Sequence, residues 1–175
     1  MGERLTQAPG KTGYTNSFET NFVVVSSLIY GENSNPLGLY AAATCYPVVH
    51  VASWPSHFDL DMDIHRINHM VTVSADYMLK VFLVNSVTWI SDEYIARMSH
   101  NQQIRDFLTA GKTRKMGATV MNPFGEIIAC GDGEPSKLLL CDVKLEDMVI
   151  PHAFQDSSEH YQRPELFASL FKPYF

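Results

Sequence analysis

At 175 residues, 46% of them hydrophobic, the chain has the size of one domain with a substantial core and is short for two. Its 13 Lys and Arg against 19 Asp and Glu give a formal charge of −6 with no basic run, which excludes an electrostatic footprint for nucleic acid or an anionic membrane. No window approaches the roughly 20 apolar residues of a membrane span. The three cysteines, Cys45, Cys130 and Cys141, lack CxxC spacing, so reduced, mostly buried thiols in a cytoplasmic protein are expected, with Cys130 the most exposed.

Residues 1–17 are rich in Gly, Pro, Thr and Asn and read as a flexible leader. From Phe22 the run FVVVSSLIY is β-branched and aromatic, the pattern of a buried strand, and it stops at Gly31. Asn35 then caps a helix whose first residue is Pro36, where a missing N–H costs nothing, and the Ala-rich segment carries it to Thr44. Pro47 ends it, and VVHVASWP forms a second strand closed by Pro55. Strand, helix, strand in this order is the signature of a crossover unit in an α/β fold.

A longer helix is expected from Met62 to Leu79, with Ile64, Ile67, Val71, Ala75 and Met78 on its apolar face. The strand KVFLVNSVTW follows, and then a helix that starts at Ser91 with an acidic first turn. After a polar stretch the chain reads as a hairpin, GATVMN and EIIACG around a PFG turn, and a third strand, KLLLCDVKL. The tail HYQRPELFASLFKPYF is amphipathic and suited to packing on a core or a partner.

The densest polar cluster is SHFDLDMDIHRINH. His57, Asp59, Asp61, Asp63 and His65 alternate there, and His69 follows one helical turn later, a spacing with metal-ligand chemistry. It lacks the glycine and distal Glu of a calcium loop, and acidic residues before a helix serve equally as its N-terminal charge. We therefore assign no metal. The cysteines have no histidine at a recognisable spacing and read as inert.

Five stretches carry a family resemblance: SFET at Ser17, LIYGENSNPL from Leu28 to Leu37, HVASWP from His50 to Pro55, NPFGEII with LLLCDVKLEDM, and HYQRPEL from His160 to Leu166. Their order resembles the C-terminal half of a nitrilase of the aliphatic-nitrilase or cyanide-hydratase type, in the carbon–nitrogen hydrolase superfamily. The resemblance implies an α/β fold, the αββα four-layer sandwich, incomplete on its N-terminal side. It assigns residues 18–155 to the hydrolase domain and 156–175 to a C-terminal extension, in which Arg163 and Glu165 are structural.

The family's chemistry uses a Glu base, a Lys that stabilises charge and a Cys that attacks the nitrile or amide carbon. In this sequence Tyr30 stands at the Cys position, and the 29 residues before it contain neither the usual Glu nor the usual Lys context. Glu32 matches the family's Glu two residues beyond the Cys and, with Trp54 and Pro55, lines the expected pocket. A further family carboxylate falls near Met78, where Asp76 is the nearest acid. The resemblance thus implies a truncated, inactive homologue that needs no cofactor. Its exposed apolar sheet face would promote homo-oligomers or association with a full-length nitrilase.

Overall fold

The computed structural model describes residues 16–55, 64–113, 117–132 and 138–158 together with 163, 165 and 166; at 64, 65 and 111–113 it describes the backbone alone. Its centre is a six-stranded sheet whose strands lie in sequence order: β1 (Ser17–Glu19), β2 (Val24–Ile29), β3 (Val49–Trp54), β4 (Phe82–Val87), β5 (Thr119–Met121) and β6 (Ile127–Cys130). The three middle strands β2, β3 and β4 are parallel, and β1, β5 and β6 run antiparallel to their neighbours. Parallel neighbours require crossovers. These are α1 (Pro36–Ala43), between β2 and β3, and α2 (Ile64–Leu79), between β3 and β4. The α/β class and both crossover units are those expected.

Directly paired residues share a face of the sheet, and the register sorts the strands into two unlike surfaces. On one face lie Ser26, Leu28, His50, Ala52, Trp54, Leu83 and Met121, all buried. The apolar ones among them pack in one core with Leu39, Ala42 and Ala43 of α1 and Ala75 and Leu79 of α2. On the other face Val25, Ser27, Val49, Val51, Ser53, Val84 and Ser86 are half-exposed. The described residues thus form one sheet with one helical layer.

Local chemistry explains the elements. Asn35 Oδ1 accepts from the Leu37 N–H at 3.0 Å and caps α1 ahead of Pro36. Ser91 Oγ accepts from the Tyr94 N–H at 2.9 Å and caps α3 (Asp92–Met98). In the hairpin between β5 and β6, Asn122 Oδ1 accepts from the N–H groups of Phe124 and Glu126 at 3.0 and 3.1 Å, and Gly125 takes φ +82°.

Three sequence expectations change. The polar stretch after α3 is a helix, α4 (Gln102–Thr113), because Ile104, Phe107 and Leu108 bury against Ile90 and Ile95 in a satellite core. Of KLLLCDVKL, read as a strand, Leu138–Lys144 pairs with no strand among the described residues; it crosses the open face, where Leu139, Leu140 and Cys141 line a cavity with Val49 and Phe82, so its apolar alternation is spent on the sheet's surface rather than its edge. The chain then continues in a 3₁₀ turn, Leu145–Met148, and α5 (Val149–Phe154). Third, α2 forms as expected but buries Asn68, Thr72, Ala75, Asp76 and Leu79, while Ile67, Val71 and Met78 border this stripe half-buried.

Two glycines make the backbone argument testable. A Cβ on Gly125 would combine a left-handed φ with Val73 Cγ1 at 3.4 Å, whereas one on Gly38 of α1 meets nothing closer than 3.7 Å. In urea denaturation, Gly125→Ala should lose about 1–2 kcal/mol and Gly38→Ala should gain up to about 1 kcal/mol.

Candidate functional site

The strand β2 ends in an elbow. After Ile29 the chain turns left-handed at Tyr30, with φ 47°, and enters a 3₁₀ turn, Tyr30–Ser34, that leads into α1. A non-glycine residue in this region costs roughly 1–2 kcal/mol and persists only where neighbours enforce it. Three side chains do so. Glu32 Oε2 accepts from the Ile29 N–H at 2.9 Å, Ser34 Oγ donates to Gly31 O at 2.6 Å, and Asn33 Nδ2 donates to Leu28 O at 3.0 Å and Tyr30 O at 3.2 Å. The Tyr30 ring is half-buried and meets Trp54 edge-on, with centroids 6.0 Å apart. Trp54 is buried, its Nε1 makes no hydrogen bond, and half-buried Pro55 closes β3 beside it.

Beneath the elbow lies a buried polar chain. His50 Nε2 is 3.0 Å from Asn33 Oδ1, and His50 Nδ1 is 2.8 Å from Ser26 Oγ. Because the Asn33 amide nitrogen donates to two carbonyls, its oxygen must accept. His50 therefore carries its proton on Nε2, and Nδ1 accepts from the Ser26 hydroxyl. Burial holds the imidazole neutral, its pKa pulled down to about 4. Serine, histidine and asparagine in a row resemble a nucleophile relay in composition only. Ser26 and His50 are both fully buried, so no substrate atom reaches the hydroxyl.

The carboxylate that sequence comparison assigned loosely is well defined in space. Asp76 of α2 is fully buried, and neither of its oxygens makes a hydrogen bond. Its neighbour is the β5–β6 turn, whose Gly125 N–H is already donated to Asn122 O at 2.9 Å. Burial pushes its pKa up to about 8, offset in part by the Gly125 backbone and the Lys80 charge. Lys80, in a left-handed conformation at the end of α2, is buried too; its pKa is lowered by desolvation and supported by Asp76, with Nζ 3.5 Å above the Tyr77 ring centroid. Asn68 and Thr72 continue the same stripe of α2, buried and without hydrogen bonds on their side chains.

The structure therefore brings Tyr30, Trp54 and Pro55 together and leaves Glu32 exposed at the elbow, where it caps backbone. The cysteines lie elsewhere: Cys45 past the end of α1, half-buried; Cys130 on β6, exposed; Cys141 in the crossing segment, half-buried. Of the polar cluster, His57 to Asp63 and the side chain of His65 lie outside the described residues, and His69 is exposed on α2. His160 lies outside them also, while Arg163 Nε donates to the carboxylate of Glu165. Sequence reasoning missed Asn33 and His50 as a buried pair. The available signal was a histidine in the middle of an otherwise apolar strand, which must find partners if it is buried.

No family model matches the chain. It is 25% identical over 167 residues to a nitrilase of Paraburkholderia phymatum, covering 95% of this chain and 47% of that one. With an aliphatic nitrilase of Rhodococcus rhodochrous it shares 25% over 150 residues, 82% of this chain and 38% of the other. Its fold superposes on a carbon–nitrogen hydrolase of Helicobacter pylori with a TM-score of 0.71 at 12% identity, covering 97% of this chain and 56% of that chain. The chain is thus similar in sequence to curated nitrilases and shares the fold of carbon–nitrogen hydrolases. It spans about half the length, or less, of the curated relatives it matches.

Two of the buried titrating groups, Asp76 and His50, act on stability with opposite pH dependence. Folded Asp76 keeps a proton between 3.8 and about 8 that the unfolded chain has released, so its contribution to stability falls as pH rises through that window. Folded His50 lacks a proton between about 4 and 6.5 that the unfolded chain holds, so its contribution rises there. The two nearly cancel between about 4 and 6.5, above which His50 no longer offsets the Asp76 decline. The stability difference between wild type and Asp76→Asn, from urea titrations at each pH, should shift against the wild type by about 1 kcal/mol per pH unit between 6.5 and 8.

Proposed function

We propose that this chain is a nitrilase-fold protein without hydrolytic activity of its own. The observation that carries the reading is Tyr30, a phenol on the left-handed residue at the end of β2, the position at which the family resemblance places the nucleophilic cysteine. A phenol attacks poorly at neutral pH unless a strong positive charge lies beside it. The described thiols sit off the elbow, and Lys80, the buried ammonium, is engaged with Tyr77 and coupled to Asp76. In this reading Trp54, Pro55 and Glu32 are what persists of the substrate pocket, with the first packed on the phenol and the last retained as a cap. The protein needs no cofactor and works by association, either with itself or with a full-length nitrilase. The half-exposed apolar face of the sheet favours that role over a solitary enzyme.

Purified chain incubated with a panel of aliphatic and aromatic nitriles, cyanide and simple amides should release no ammonia or amide above the uncatalysed rate. Tyr30→Cys alone should restore no turnover, because a thiol without a base and a cation remains largely protonated and its product charge unstabilised. Repeated turnover by the wild-type chain would overturn the reading, and burst release by Tyr30→Cys would show that a base is present after all.

A further inference from the structure

The molecule keeps its unpartnered polar groups in one place. Asn68, Thr72 and Asp76 recur at every fourth residue of α2, in one row along the helix, and each is at most 1% exposed. Asn68 Nδ2 and Oδ1, Thr72 Oγ1 and both Asp76 oxygens make no hydrogen bond. On the helix-covered side of the sheet, Asn85 Oδ1 and Trp54 Nε1 are also buried and unbonded, Asn85 sharing that face because it pairs with Ala52. Apart from Ser17 Oγ, these are all the buried side-chain atoms without a partner among the described residues. Other polar side chains of the sheet are paired: Asn85 Nδ2 donates to Thr119 Oγ1 at 3.1 Å, Ser27 Oγ donates to Val51 O at 3.1 Å, and Ser53 Oγ and Ser86 Oγ bond each other at 3.1 Å. The mismatch therefore belongs to the contact of α2 with β3 and β4, the two strands it touches.

A polar group sealed from water and given no partner loses its hydration without return, and each such group biases the contact toward opening by about tenfold. Little holds α2 down against that bias. Its fully buried apolar side chains are Ala75, with a single carbon beyond the backbone, and Leu79 in the last turn, while Val71, Val73 and Met78 pack from the border. Ile64, Ile67, Val71, Thr72 and Val73 are β-branched, so the helix gains little from intrinsic propensity. Beside it α1 has the opposite make-up, burying Leu39, Ala42 and Ala43 under an Asn35 cap. The C-terminal end of α2 is fastened by Leu79 in the core and by Lys80 Nζ over the Tyr77 ring. Residues 68–76 are the stretch left to lift.

From these features we infer that α2 is a detachable cover: it leaves β3 and β4 as a unit while the sheet stays folded, and water then reaches the polar row. Because α2 also touches the elbow turn, its departure uncovers Tyr30 and Trp54 from the helix side. Where every buried group is paired, such an opening breaks bonds and gains none; here it is the state in which Asn68, Thr72, Asp76, Asn85 and Trp54 acquire partners. The inference does not rest on the loss of the nucleophile, since opening and turnover are measured separately.

Native-state hydrogen exchange of the purified chain at rising, sub-denaturing urea, read by mass spectrometry of its peptides, tests this. Peptides of α2 should show protection factors at least about tenfold below those of β3 and β4, with a weaker dependence on urea, the mark of an opening smaller than global unfolding. Thr72→Val and Asn68→Leu, which replace an unpartnered polar group by an apolar one of like size, should each slow α2 exchange about tenfold. His69→Leu, a similar gain in helix propensity on the exposed side of α2, should change it less than about threefold. Either of the first two variants serves if the other fails to fold, as judged by circular dichroism. Exchange of α2 together with β3 and β4, at one protection factor and one urea dependence, overturns the inference. So does unchanged or faster α2 exchange in folded Thr72→Val or Asn68→Leu, because the polar row is then satisfied in the closed state.

Discussion

Because Asn33 donates its amide hydrogens to the carbonyls of Leu28 and Tyr30, only its oxygen is left for His50, and one buried side chain thereby ties the last turn of β2 to the middle of β3. Much of the geometry around the elbow depends on that constraint. It fixes the tautomer of His50, which in turn takes the Ser26 hydroxyl, so three strand and turn segments share one continuous set of hydrogen bonds. The left-handed backbone at Tyr30 is affordable only inside such a frame. Breaking the network at either end would leave a buried donor or acceptor unpaired, at a cost of about 1–3 kcal/mol.

The helix-covered side of the sheet is also where the molecule keeps its unresolved electrostatics. Asp76, Thr72 and Asn68 line the buried stripe of α2 without hydrogen bonds, an arrangement that stability alone does not favour. The consequence for Asp76 is a carboxyl that stays protonated into the neutral range and sits against the β5–β6 turn. The opposite side of the sheet has the reverse character, apolar and internally satisfied. One sheet thus separates a helix-covered core that holds a few buried polar groups from an open face of valines and serines, and β4 is the strand at which they meet, with Phe82 and Leu83 both buried.

How much of this was legible in the sequence depends on whether the signal was local. Asn35 and Pro36 announce α1 because a cap and a preset φ act within one turn, and the Asn122–Gly125 stretch announces its hairpin for the same reason. The helix α4 was illegible as such, since Ile104, Phe107 and Leu108 acquire a hydrophobic partner only when α3 folds back on them. Leu138–Lys144 was misread because alternating apolar residues serve a segment lying on a sheet as well as a strand within one. At the site, Tyr30 and Trp54 were found through their motifs. The roles of Asn33 and His50 required knowing that residues 17 apart in sequence meet in space.

The elbow is gripped through main-chain atoms. Its hydrogen bonds end on the Ile29 N–H and on the carbonyls of Leu28, Tyr30 and Gly31, so none of these restraints involves what residue 30 carries beyond its Cα. A scaffold fastened this way imposes no purifying pressure of its own on the identity of the displayed group. The side chain at that single position can therefore be exchanged while the main chain around it keeps its course.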